Sequence, residues 1–183
     1  VLEKELFPWA PFWFESIFLK NSFILDYDDG IFVKYNGTIL SDKIPKLARN
    51  ARMVICGSHK LQSYFDRHGA NTILIPTPIL DHKIRKRHTK LSNNIVWIGQ
   101  PGSVYNLNKH IEDIVRFCED SGVILNLIGV NRKDLSIASE CVEYHEWSEE
   151  NEYDLLVECD FGLMPLLDGE FEQFKCSYNL LQY

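Results

Sequence analysis

The chain has 183 residues, 45% hydrophobic and 13% aromatic, enough apolar side chain for a sizeable core, which excludes a disordered polypeptide. A net charge of −7 excludes a general nucleic-acid binder, which needs a basic face. No run reaches the roughly 18 apolar residues that span a bilayer, and Glu3, Lys4 and Glu5 break any apolar core that a signal peptide would need at the start.

The first residues are strongly aromatic: Phe7-Pro8-Trp9-Ala10-Pro11-Phe12-Trp13-Phe14. This stretch reads as core packing or, because Trp and Phe favour interfaces, as a membrane-facing patch. Residues 23–26 (FILD) predict a buried strand. It leads into Asp26, Asp28 and Asp29, a D-x-D-D cluster that suits a divalent cation when read alone, and equally a turn or cap. A helical pattern covers 44–50, and 53–56 (MVIC) predict a second strand. Ser58 is placed to cap a helix over 60–68, and 72–75 (TILI) predict a third strand. Strand, helix, strand alternation points to parallel βαβ units.

Pro76-Thr77-Pro78 extends neither helix nor strand and opens a linker, 79–94. Within it, residues 82–90 (HKIRKRHTK) form a basic island. It reads as solvated linker, or as a segment drawn to anionic lipid headgroups at about 1 kcal/mol per basic residue. The island lacks the interleaved aromatics of an RNA-binding segment.

The second half opens with a strand at 94–99 (NIVWIG) that ends in Gly99-Gln100-Pro101-Gly102-Ser103. A glycine turn here is a tight connection without a ligand, or one in which Ser103 offers a hydroxyl and an amide to an anion. A helix over 107–119, a strand at 123–128 (VILNLI), a weaker strand at 141–144, a helix over 148–157 capped by Ser148 and a strand at 160–164 follow. The loop 164–169, with Pro165 and Asp168, then leads to a helix with Lys175 at its start. Alone, Lys175 reads as a solvated lysine. After a strand's carboxyl end, at a helix N-terminus, it is placed for a phosphate. Glu170 and Glu172 precede it as loop acids, solvated or bonded to sugar hydroxyls.

Five cysteines without C-x-x-C spacing imply free thiols in a reducing compartment, and six scattered His argue against zinc. No G-x-G-x-x-G follows a strand, which disfavours a nucleotide-binding enzyme of another kind, such as an epimerase, or a response-regulator-like domain.

Several segments, in order, resemble the GT-B-fold glycosyltransferases of the family-1 and family-4 group. ILDYDDGIF (24–32) is similar to that family's "(Y/F)-D-(F/L)-D-D-A-(I/L)" strand end. VICGSHKLQSYFDRHGANTILIPTPI (54–79) resembles its run into the hinge, and IVWIGQPGSVYNL (95–107) its donor-domain opening. DFGLMPL (160–166) followed by KCSYNLLQY (175–183) resembles its donor-site strand-loop and Gly-Lys-Cys helix. Phe174 stands where the family has Gly before the Lys, Asn179 where it has a second Lys, Gln182 where some members have an acid, and Gln100 where some have Arg.

The resemblance implies two α/β, Rossmann-like halves with mainly parallel sheets, both incomplete, in an internal segment of a longer enzyme. Residues 1–78 would belong to the acceptor-side domain and 95–183 to the donor domain. It implies transfer of a sugar from a nucleotide-diphosphate sugar to a saccharide or lipid-linked acceptor, without cofactor, metal or nucleic acid, and inactivity of the segment by itself. Donor-binding residues would be Gly99, Gln100, Ser103, Pro165, Asp168, Glu170 and Lys175. Asp26, Asp28 and Asp29 would orient the acceptor or pack the cleft. The expected location is cytoplasmic, with 82–90 touching an anionic membrane. The competing class is a non-catalytic Rossmann-like binding or scaffold protein, which the changes around Lys175 suit.

Overall fold

A computed structural model of the chain describes residues 1–19, 22–78, 90–135 and 137–183. It is an α/β protein with two four-stranded parallel sheets, a Rossmann-like arrangement. Two compact units contain them, one of residues 1–78 with 168–176, the other of 79–167 with 177–183. No helix among the described residues is long and apolar enough to cross a membrane.

In the first unit, β1 (Leu2–Glu3), β2 (Ile24–Tyr27), β3 (Met53–Cys56) and β4 (Thr72–Leu74) lie side by side in chain order. Three helices accompany them: α1 (Phe12–Ser16), α2 (Lys43–Asn50) and α3 (His59–Arg67). The two-residue edge strand β1, too short to show a hydrophobic period, is not foreseen by the sequence reading. Leu25, Tyr27, Val54 and Cys56 are the buried alternate residues of β2 and β3. They meet Ile44, Leu47 and Ala48 of α2 and Leu61 and Phe65 of α3 in one apolar cluster. Pro45 is tolerated because it lies in the first turn of α2, where its missing N–H breaks no helical bond. Ser58 caps α3 as expected, its Oγ accepting from Leu61 N at 3.2 Å.

The second unit holds β5 (Asn94–Ile98), β6 (Ile124–Ile128), β7 (Val142–His145) and β8 (Phe161–Gly162), with α4 (Val104–Asn108), α5 (Ile111–Ser121), α6 (Glu152–Val157) and α7 (Tyr178–Gln182). Strand order is β7-β6-β5-β8. Residues Ile95–Ile98 of β5 are all buried, because both faces of the sheet are covered. Ile95 and Trp97 pack with Val104, Leu107, Ile111 and Cys118 on one face. Val96 and Ile98 pack with Ile128, Cys159, Leu155 and Leu156 on the other. The helix predicted over 107–119 is two helices, broken where His110 N bonds back to Leu107 O at 2.9 Å. Gly122 ends α5 in the left-handed region at φ 64°, which a side chain would resist. The helix predicted over 148–157 begins only at Glu152. Ser148 and Asn151 exchange side-chain and backbone bonds in the turn before it.

Candidate functional site

In the second unit the chain runs from β5 outward to β6 and β7, then returns through α6 to place β8 on the opposite side of β5. A reversal of this kind leaves a crevice beyond the carboxyl ends of the two strands that flank it, where open α/β sheets bind ligands. Here those strands are β5 and β8. The loops leaving them carry Gly99, Gln100 and Ser103 on one side and Pro165 on the other.

The β5 loop is tightly built. Ser103 N and Ser103 Oγ both donate to Gln100 O at 2.8 Å, and Ser103 Oγ accepts from Gln100 N at 3.2 Å. That hydroxyl is therefore engaged within its own turn. A Cβ on Gly99 would stand 2.5 Å from the Trp97 ring and 2.8 Å from Ser103 Oγ, so only glycine fits under the turn. The β8 loop is held from α4: Asn106, only 2% exposed, accepts from Leu167 N through Oδ1 at 2.9 Å. Its Nδ2 has no hydrogen-bond partner among the described residues, which leaves a buried donor beside this loop. Nothing in the local sequence distinguishes Asn106 from an ordinary helical asparagine.

The crevice is bridged by the unit's last residues. Tyr183 Oη donates to Leu163 O at 3.1 Å and accepts, more weakly, from Ile98 N at 3.4 Å. Its ring lies where a side chain on Gly162 would be. Burial pushes the phenol up to about 12. Asn179 Nδ2 donates to Ile98 O at 2.7 Å, which gives the asparagine a structural task at a position where the resemblance has lysine.

The other expected donor-binding residues, Asp168, Glu170 and Lys175, belong to the first unit. Glu170 accepts from Asn36 Nδ2 at 3.0 Å, and Asp168 is exposed. Lys175 does not start a helix, contrary to the sequence expectation. It follows a 3-10 turn (Glu172–Phe174) in extended backbone, and α7 begins three residues later, at Tyr178. The cause is Phe174, whose ring enters the first unit's core at 4.8 Å from that of Phe32, with its Cβ 2.7 Å from where a Cβ on Gly30 would lie. Ser177, left-handed at φ 55°, then separates Lys175 from α7. The Lys175 ammonium lies 5.8 Å from the centroid of Phe171.

At the carboxyl end of β2, Lys4 Nζ lies 3.1 Å from Asp28 and 3.6 Å from Asp29. Burial and the neighbouring Asp28 charge raise the pKa of both Asp26 and Asp29, while Lys4 opposes the rise at both and Lys175 opposes it at Asp29. The D-x-D-D cluster is thus organised around an ammonium group. Among the described residues no three His, Cys, Asp or Glu side chains converge as a metal-ligand set. The basic island 82–90 lies, except for Lys90, outside the described residues.

Sequence reasoning also missed a buried ionic group in the first unit. Lys43 Nζ lies 2.5 Å from Glu5 Oε2, 3.0 Å from Glu15 Oε2 and 2.7 Å from Phe7 O. Tyr35 Oη donates to Glu5 at 2.8 Å. The sole signal was Glu15, a single acid inside an aromatic run.

A groove of about 590 Å³ runs between α5 and β8, lined chiefly by Ile114, Phe117, Phe161 and Leu163, with His110 and Asp113 on one wall. Ile95, near the amino end of β5, and Gly162 of β8 also line it.

Comparison with protein-family models finds no match to this chain, and comparison with curated proteins finds none either.

Proposed function

We propose that the protein is a nucleotide-sugar-dependent glycosyltransferase of GT-B architecture, transferring a sugar to a saccharide or lipid-linked acceptor. The observation that carries this reading is the strand-order reversal at β5, since open α/β sheets bind ligands at the carboxyl ends of the strands where the order reverses. The matched segments quoted above supply the glycosyl-transfer chemistry. In this reading the nucleotide lies against the carboxyl ends of β5 and β8. The Gly102 N–H of the β5 loop and the unpaired Asn106 amide are the proposed neutral donors, the other amides of that turn being bonded within the unit. Negative charge grows on the leaving diphosphate as the glycosidic bond breaks, and donors already in place stabilise it without reorganising. On the resemblance alone, Lys175 of the first unit is proposed as a phosphate-binding cation, and Asp26, Asp28 and Asp29 as acceptor-side acids.

A second reading is a non-catalytic Rossmann-like binding protein. It is favoured by Phe174, which is built into the first unit's core where a phosphate loop would want glycine. Donor turnover separates the two. The full-length protein, given a panel of nucleotide-diphosphate sugars, is expected to release nucleoside diphosphate above background. Nucleotide binding without any release of diphosphate would select the binding protein instead.

A further inference from the structure

In α1 and the residues around it, the usual polarity of a surface helix is inverted. Glu15, the one charged residue of α1, is 0% exposed, whereas Trp13 is 66% exposed, and the following Ile17 and Phe18 are 60% and 55% exposed. Ordinary surface helices do the reverse, because an apolar side chain left in water forgoes the gain of burial. Phe7, Phe14 and Phe18 pack on one another with centroids 5.2–5.5 Å apart, so the patch is a preformed cluster of rings. Trp9 is also largely exposed, held at φ 65°, a conformation uncommon for a bulky residue.

The polar groups of the same segment are turned inward. Glu5 and Glu15 are withdrawn onto Lys43, Phe7 O accepts from Lys43 Nζ, Leu6 N donates to Glu15, and Trp9 N donates to Tyr35 Oη at 3.0 Å. Ala10, Phe14 and Glu15 donate their backbone N–H groups to Phe7 O and Pro11 O, and Pro8 and Pro11 have no N–H to satisfy. The patch therefore meets a low-dielectric surroundings with aromatic rings outermost, its acids neutralised and few free backbone donors. Placing it there incurs little of the penalty that unsatisfied polar groups impose.

We propose that residues 6–18 form a docking surface for a phospholipid bilayer, inserting Trp9, Trp13, Ile17 and Phe18 at the headgroup–acyl boundary. Trp and Phe are the residues that favour that depth, and a short element lying in the interface suffices for it. A second copy of the chain fits the patch less well. A standard protein interface draws on roughly 20–30 residues a side, and this surface comes from a single short stretch. Withdrawal of Glu5 and Glu15 also removes the acids that would repel anionic headgroups. The docking surface does not depend on the glycosyl-transfer reading.

Sedimentation of the full chain with vesicles tests it, using phosphatidylcholine alone and mixed with phosphatidylglycerol. Binding is expected to both and to persist in 1 M NaCl, where charges are screened beyond about 3 Å. Attraction through 82–90 would instead vanish there. Trp13→Ser with Ile17→Ser, both at exposed positions outside the Phe7–Phe14–Phe18 ring cluster, is expected to lower partitioning at least about tenfold with an unchanged urea midpoint. The proposal is overturned if the wild type stays in the supernatant, if the double variant partitions equally, or if binding is lost in high salt. It is also overturned if the wild type is a lipid-free dimer that the same substitutions turn into a monomer, since the patch is then a protein interface.

Discussion

Lys43 and Glu5, 38 positions apart in the chain, meet as a buried ion pair at 2.5 Å, with side chains 0% and 3% exposed. Glu15 shares the same ammonium at 3.0 Å. Two carboxylates and two helices thereby converge on one lysine at the base of the aromatic segment. Removing one member of such a group leaves the others buried without compensation, which typically costs 3–5 kcal/mol. Lys43→Met is therefore expected to lower unfolding free energy by about 3 kcal/mol or more. Urea denaturation measures it, and a loss below about 1 kcal/mol would mean that the acids find other partners or water.

The same cluster gives stability a pH dependence of defined sign. Glu5 suffers burial, but hydrogen bonds from Lys34, Lys43 and Tyr35 outweigh it and hold its carboxyl below the ordinary value of 4.5. Its contribution is present above 4.5 and is lost as pH falls through the lowered folded value. Lys43 likewise suffers burial, but Glu5 and Glu15 raise it above 10.5, so its contribution is present below 10.5 and is lost as pH rises through the folded value. Urea midpoints measured across pH should fall at both ends, and Lys43→Met should flatten both limbs. A wild-type profile as flat as the variant's would contradict this.

Gly99→Ala tests the turn at the head of the crevice. Its Cβ would meet the Trp97 ring at 2.5 Å, and Trp97 is packed in the core on the strand below. Overpacking of this kind costs about 1–3 kcal/mol. Urea denaturation should show a loss in that range together with altered near-ultraviolet circular dichroism from the displaced indole. A stability equal to wild type would mean that the turn has room to move.

Lys175→Ala has two readouts. Lys175 holds down the pKa of Asp29, which burial and Asp28 raise, so removing the ammonium should move the Asp29 titration further up when followed by carbon-detected NMR. If Lys175 binds the diphosphate as proposed, the variant should also lose at least about tenfold in nucleoside-diphosphate affinity, as expected for a charged hydrogen bond of 1.5–3 kcal/mol, and little in nucleoside affinity. Equal losses for both ligands would assign Lys175 to the first unit's structure alone.

Sequence patterns located the regular elements well where one short apolar run coincides with one strand. Residues 53–56 are β3 as read, and β2, β5, β6 and β7 begin or end within a residue of their expected limits. Ser58 was legible because capping is local. The tail was not, because its conformation is decided by a distant partner: Phe174 leaves the helical periodicity to pack against Phe32 and Gly30, more than 140 positions earlier in the chain. The Lys43–Glu5–Glu15 group was invisible for the same reason, since ion pairs across the fold leave no spacing to read. Candidate residues on the β5 loop were recognisable from the glycine turn. Asn106 and Tyr183 were not, as their roles follow from strand order and from where β5 and β8 part.

Calorimetric titration of the full-length protein with nucleoside diphosphates and with the matching nucleosides tests the proposed function most directly. A crevice serving a nucleotide-diphosphate sugar should bind one of the diphosphates at least about tenfold more tightly than its nucleoside, the least that a charged phosphate contact supplies. Absence of heat from every nucleoside diphosphate, or equal affinity for a diphosphate and its nucleoside, would contradict it.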